Sequence, residues 1–372
     1  MGSFVLRLAV ALRAEGVEVL VIAPSSEGLA PEEQLEGIPV ERFRYAPRRL
    51  ETLAYTGTMS AQVRRSWTGR LAMIGFLGGQ LAKAIALRRR FEPGLIHAHW
   101  WFPAGLVGTG LRALWRVPVV TTLHGSDLRL VESSTWVRPL LRSVLRRSSV
   151  VTAVSQWLAR VARALVPEID PVVAPMPIVT GLFQPGEQRA KDNRLLFVGK
   201  LNEQKGIKYL LRAMALMQTS ASLDIVVGVG SVEDHARRFA AELGIENRLR
   251  WHPLLPQYAL AELYRSATAL VVPSIDEGFG LVALEAQLSG TPVVAFDSGG
   301  LPDAVLNGRT GYLVPPRDAA ALATALDQLL ERPDRGAALG RAGRARSLAT
   351  FAPDAVARRY KEIYQRALEL SR

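Results

Sequence analysis

Short runs rich in valine, isoleucine and leucine alternate along this chain with longer amphipathic segments, and the alternation stops once and starts again. Parallel strands need crossover connections long enough to hold a helix, so this pattern points to parallel sheets flanked by helices. In the first half the candidate strands are Val17–Ile22, Pro39–Arg42, Leu95–Ala98, Val117–Leu123 and Ser149–Val154. After Val172 comes a stretch dense in proline, glycine and charge that reads as a linker. The alternation then resumes with Leu195–Gly199, Ser222–Val227, Arg248–His252, Ala269–Val272 and Pro292–Phe296. The expected fold is α/β, with two doubly wound, Rossmann-like domains facing a cleft in which ligands bind. A length of 372 residues suits two such domains. The expected boundaries are 1–178 for the first domain, 179–192 for the linker, 193–352 for the second and 353–372 for an amphipathic terminal helix.

The first domain departs from the usual order. A doubly wound domain begins with a strand and a glycine-rich turn, yet here Phe4, Leu8 and Leu12 fall on one face of a helix that starts almost at once. The expectation is a first domain without its N-terminal strand. Arg7 and Arg13 interrupt that opening helix, so it does not read as a signal peptide.

The chain has no cysteine, which excludes disulfides, thiolate metal sites and thiol nucleophiles. Its formal charge is +12, and residues 1–180 carry +9 of that. Residues 42–90 hold eleven arginines and lysines against Glu51 alone, which suits an anionic partner. No nucleic-acid recognition motif accompanies this basic stretch, so nucleic acid is not the expected partner. Within it, Leu71 to Leu87 is the most apolar run, followed by three arginines. It reads as a core helix, with an interfacial helix on an anionic membrane as the alternative.

Three features bear chemistry. After the strand Ala269–Val272, Pro273 to Glu285 carries Glu277, Gly278, Phe279 and Gly280 into a helix starting near Leu281. Glycines permit close backbone approach, and the free N–H groups of a helix start suit a phosphate. Glu285, about one turn into that helix, is placed to accept hydroxyl hydrogen bonds such as a ribose offers. After the strand Leu195–Gly199, Lys200 and Lys205 stand where doubly wound sheets bind ligands and can neutralise a leaving diphosphate without metal. Lastly, His97 and His99 share one face of a strand, and His124 ends another. No H-E-x-x-H or D-x-D motif accompanies them, so binding or proton transfer is expected of His124 rather than a metal site.

Together HAHWWFPAG (97–105), TTLHGSD (121–127), VTAVSQWL (151–158), FVGKLNEQKG (197–206) and PSIDEGFGLVALEAQLSGTPVVAFDSGGLPDAV (273–305) resemble the family-4 retaining glycosyltransferases of GT-B architecture. The resemblance implies that the second domain binds a nucleotide sugar, a UDP- or GDP-sugar first among them, and the first a glycan or lipid-linked acceptor. It implies that Lys200 and Lys205 hold the donor diphosphate, Glu277 and the backbone of Gly278, Phe279, Gly280 and Leu281 surround sugar and phosphate, Glu285 binds the ribose, and His124 lies near the reacting sugar. It further implies a terminal helix that crosses back to the first domain and front-face displacement with retention, needing neither metal nor enzyme nucleophile. Cell-surface polysaccharide or glycolipid assembly at the cytoplasmic membrane face is the expected setting. A nucleotide-sugar-binding protein with impaired catalysis is the alternative, prompted by the missing strand.

Overall fold

The computed structural model describes all residues except 1–2, 56–58, 133–134, 187–191, 229–232, 335 and 372. The chain divides into two compact units, one of Met1–Pro177 with Pro353–Arg372 and one of Ile178–Ala352.

In the first unit the chain starts with the helix Ser3–Ala14 and then forms β1 (Val21–Pro24), β2 (Glu32–Leu35), β3 (Ile38–Phe43), β4 (Ile96–His99), β5 (Val119–Leu123), β6 (Val150–Ala153) and β7 (Val172–Val173). These strands make two sheets, β1-β3-β2 and β4-β5-β6-β7. All pairings are parallel except β2 with β3, which form a hairpin. Neither β1 nor β4 pairs with a described strand on its other edge. A cavity of about 1910 Å³ opens beside them, lined among others by Leu8, Leu12, Val21, Ala23, Ile96 and Ala98. The seam is visible in burial too: β5 and β6 are fully buried, as central parallel strands should be, whereas β1 is only partly so.

The second unit holds one sheet of β8 (Arg194–Gly199), β9 (Ser222–Val227), β10 (Leu249–His252), β11 (Ala269–Val272), β12 (Val293–Phe296) and β13 (Gly311–Val314). Its order is β10-β9-β8-β11-β12-β13, with every pair parallel. The strand order therefore reverses between β8 and β11, the place where an open parallel sheet leaves a crevice at its carboxyl edge. Leu195, Phe197, Ile225, Val294 and Phe296 pack with Leu210, Leu211 and Leu326 of the flanking helices. Each such side chain contributes roughly 1.5–3 kcal/mol by leaving water.

Two expectations need correction. The second unit begins at Ile178, expected at the end of the first domain, and takes in part of the expected linker: Phe183 is buried, and its ring packs edge-on against Tyr264. Residues 187–191 of that linker lie outside the described residues. The apolar run expected over Leu71–Leu87 is a longer helix, Trp67–Leu87, capped by Ser66, whose hydroxyl accepts the Gly69 N–H. Gly75 and Gly79 let the chain at Tyr45 and Arg44 cross this helix closely. A β-carbon at either glycine would lie 2.1 or 2.2 Å from those carbonyl oxygens.

The terminal helix Pro353–Glu369 is part of the first unit. Its buried Tyr360 donates to the Ala174 carbonyl at 3.1 Å, and Lys361 donates to the Glu15 carbonyl at 2.7 Å.

Candidate functional site

In the second unit the loops after β8 and β11 flank the point of strand reversal. The first carries Lys200 and Lys205, the second Glu277 to Leu281. They are stitched together: the Ile275 N–H donates to the Gln204 carbonyl at 2.7 Å, and Lys205 Nζ lies 2.5 Å from Glu277 Oε2. This ion pair is about one-fifth exposed on each side, which leaves both groups reachable by a ligand. Lys200 is exposed, and among the described residues it has no ion-pair partner. The side chains of both lysines pass the turn at Gly199 and Gly228, since β-carbons there would touch Lys205 Cγ at 3.6 Å and Lys200 Cγ at 3.1 Å respectively.

A third loop fixes Glu277 from the other side. Gly300 N–H donates to the Glu277 carbonyl at 2.6 Å, and Ser298 Oγ accepts the Asp276 N–H at 3.0 Å. Asp276 itself has φ +51°, a conformation that L residues adopt at a cost, so the loop is over-determined by its neighbours. The loop that carries Glu277 is thus held from both sides, through Ile275 on one and through Asp276 and the Glu277 carbonyl on the other.

The loop then enters the helix Leu281–Leu288, whose N-cap, Gly280, supplies no side-chain acceptor. The peptide dipoles and first N–H groups of this helix favour an anion at its mouth. Gly278 is partly buried in the loop, and Phe279 is buried, its ring edge-on to Phe351 at 5.5 Å. Phe279 therefore anchors the loop by its side chain and leaves only its backbone to a ligand. Glu285 lies in the second turn and is partly buried. Its Oε2 accepts the hydroxyl of the buried Tyr264 at 3.0 Å. Burial and the adjacent carboxylate push the Tyr264 phenol well above its ordinary value, so it stays a donor. Tyr264 thereby orients one carboxylate oxygen of Glu285, a contact with no trace in the sequence.

In the first unit the three histidines meet at the carboxyl ends of β4 and β5. His99 Nδ1 and His124 Nε2 are 3.0 Å apart, while His97 lies 2.6 Å from Thr122 Oγ1 and 2.8 Å from the Tyr364 hydroxyl. Burial lowers all three imidazoles, His99 to about 4, and neighbouring imidazoles lower His97 and His124 further. The cluster is therefore neutral at pH 7 and can relay or accept a proton rather than present charge. Among the described residues no group of three or more histidines and carboxylates is arranged to hold a metal ion.

His124 also packs against the rings of Trp100 and Phe4, at 4.8 and 5.0 Å. The residue that orders this corner is the buried Asp127, absent from the candidates above. Its Oδ1 accepts the N–H groups of His124, Gly125 and Leu128, and its Oδ2 that of Trp101. Only its place three residues after His124 hinted at such a role.

Two α/β units, one of them a doubly wound sheet with a charged, glycine-bearing crevice at its strand reversal, fit the GT-B class of glycosyltransferase. The structure resembles sucrose-phosphate synthase from Thermosynechococcus elongatus, with a TM-score of 0.78 and 26% identity over 98% of this chain and 93% of that one. It shares its fold with Anabaena HepE in complex with UDP and glucose, at a TM-score of 0.74 and 20% identity over 98% and 96% of the two chains. Residues 1–181 match the model for Glycosyltransferase Family 4, and residues 181–346 match that for Glycosyl transferases group 1. The D-inositol 3-phosphate glycosyltransferase of Thermobispora bispora is 38% identical over 81% of this chain and 77% of its own length. That of Streptomyces scabiei is 32% identical over 99% and 86%. The chain belongs to glycosyltransferase family 4 and is a glycosyltransferase of GT-B type.

Proposed function

We propose that this chain is a metal-independent, retaining hexosyltransferase that moves a sugar from a nucleotide diphosphate to the hydroxyl of a glycan or lipid-linked acceptor. Its proposed setting is cell-surface polysaccharide or glycolipid assembly at the cytoplasmic membrane face. The observation that carries the reading is the Lys205–Glu277 pair beside the exposed Lys200, at the strand reversal and the mouth of the helix Leu281–Leu288. A donor diphosphate meets Lys200, Lys205 and the backbone of Gly278, Phe279, Gly280 and Leu281. Glu277 is then released toward the hydroxyls of the donor sugar, and Glu285, oriented by Tyr264, receives the ribose.

In the proposed reaction the bond from the anomeric carbon to the diphosphate oxygen breaks. A bond from the same face of that carbon to the acceptor oxygen forms. The proton of the acceptor hydroxyl passes to the leaving diphosphate, whose charge the lysines and helix mouth stabilise. No side chain forms a covalent intermediate. His124, neutral and held by the Asp127 loop, is assigned a hydrogen-bonding role near the reacting sugar.

UDP- and GDP-sugars are the first donors to test, by thermal shift, because a ligand that binds only the folded state raises its stability. D-inositol 3-phosphate, which the relatives' names give, is the first acceptor. Glu277→Gln should keep the fold and lower turnover on the order of 100-fold, the scale expected for a lost positioning contact. Undiminished turnover in that variant removes Glu277 from the site. A nucleotide-sugar-binding role without catalysis is a second reading, favoured by the cavity between β1 and β4. Saturable donor binding by calorimetry, with no turnover over an acceptor panel, selects it.

A further inference from the structure

The helix Trp67–Leu87 has two unlike faces. One packs into the first unit, where Ala72, Met73 and Phe76 join Phe43 and Tyr45, and Lys83 Nζ pairs with the buried Glu41 at 2.6 Å. The helix is long and apolar enough to cross a bilayer by length and composition, yet this anchoring lays it along the body of the unit. The other face is turned to solvent: Trp67 is 76% exposed, Leu71 63%, Ile74 68%, Leu81 39% and Ile85 47%. These positions follow one another at helical spacing and form a single stripe, about 27 Å long at 1.5 Å per residue. From Leu71 to Ala86 every exposed position of the helix is uncharged. A solvated helix face has polar residues there, so this stripe lacks its partner.

The ends of the stripe identify that partner. Arg64, Arg65 and Arg70 are exposed at one end and Arg89 and Arg90 at the other, and the Arg70 guanidinium lies 5.2 Å from the centroid of the Trp67 ring. Of the acidic groups nearby, Glu41 is buried and paired with Lys83 and Arg90, Glu51 is buried and paired with Arg44, and the exposed Glu92 follows the last arginine in sequence. A second copy of the chain is a poor match. In either orientation, pressing two such stripes together sets arginines against arginines. An anionic bilayer matches both parts, because apolar side chains enter the acyl boundary while arginines at each end reach lipid phosphates.

We propose that the exposed face of the helix Trp67–Leu87 docks this protein on an anionic lipid surface, with the helix lying in the plane of the interface. The inference stands apart from the donor-site reading, since it uses no residue of that site. The test is co-flotation of the full chain with vesicles of phosphatidylglycerol mixed with phosphatidylcholine, against phosphatidylcholine alone. The parent should float with the anionic vesicles and lose them at high salt. The triple variant Leu71→Ser, Ile74→Ser, Leu81→Ser should bind at least about tenfold more weakly. Arg64→Gln, Arg65→Gln, Arg89→Gln should lose about fivefold per arginine on anionic vesicles. Donor-induced thermal shifts should be the same in all three proteins, which separates this proposal from the donor site. A parent that does not float with anionic vesicles, or a serine variant that floats as well as the parent, overturns the proposal. So does a concentration-dependent dimer abolished by the serine substitutions without any lipid binding, which gives the stripe to a second copy.

Discussion

Gly299 offers the most exacting test of the loop geometry. It has φ +62°, and a β-carbon there would lie 2.3 Å from the Glu277 carbonyl oxygen and 2.5 Å from its amide nitrogen. Carbon and oxygen that are not bonded rest at roughly 3.3 Å or more, so Gly299→Ala forces the two loops apart by about 1 Å. The left-handed conformation costs alanine about 1–2 kcal/mol in addition. Because the Gly300 N–H is bonded to the same carbonyl, Glu277 cannot stay behind when the loop moves. A shift of that size at a reacting centre lowers rates on the order of 100-fold. Gly244→Ala isolates the other contribution: its φ is +68°, but a β-carbon there meets nothing within 4 Å. That variant should lose about 2–4 °C in Tm per kcal/mol of backbone cost and keep its donor response and turnover. Gly299→Ala should lose both, as read by donor-induced thermal shift and by release of the nucleoside diphosphate. Turnover of Gly299→Ala within about threefold of the parent would refute the claim that this loop positions Glu277.

Lys200→Ala should weaken donor binding by about tenfold without changing Tm, because the exposed Lys200 has no ion-pair partner among the described residues; calorimetry measures this. The histidine cluster should make the first unit acid-sensitive. The unfolded chain takes up protons near pH 6.5, whereas folded His99 resists until about 4. The unfolded state binds more protons between those values, so stability is lost as pH falls through that window. The slope is at most about 1.4 kcal/mol per pH unit per histidine, reduced by the partial exposure of each ring. Urea midpoints that do not change between pH 7.5 and pH 5 would contradict it. Ending the chain after Ala352 removes the buried Val356, Tyr360 and Ile363, worth roughly 5–9 kcal/mol of burial, which is comparable to the whole stability of a domain. Limited proteolysis should then digest the first unit and spare Ile178–Ala352.

The apolar strands were legible because buried parallel strands must be apolar on both faces, which is what made β5, β6, β11 and β12 stand out. β2 was hidden for the opposite reason. Its Glu-Glu-Gln-Leu has no apolar run, and its hairpin turns through Glu36 and Gly37, at φ +49° and +81°, without the Asn-Gly pair that marks such turns. The Pro-rich connection looked like a free linker because periodicity cannot reveal a single buried anchor such as Phe183. At the site, residue types and spacing picked out Lys200, Lys205, Glu277 and Glu285. Their partners came from tertiary contact: Tyr264 reaches Glu285 from another helix, and Glu277 reaches Lys205 across two loops. Asp127 was passed over because a carboxylate that spends its oxygens on backbone N–H groups leaves no periodic trace.

The first unit is discontinuous in sequence, completed by Pro353–Arg372 and clasped through Tyr360 and Lys361. During synthesis its early strands emerge long before the helix that closes over Ala174 and Glu15. The second unit, contained wholly within Ile178–Ala352, is available in full while those strands still wait. Domains generally fold from the N-terminus as the ribosome releases them. Here the first unit cannot close until the helix Pro353–Glu369 has left the ribosome, after every residue of the second unit.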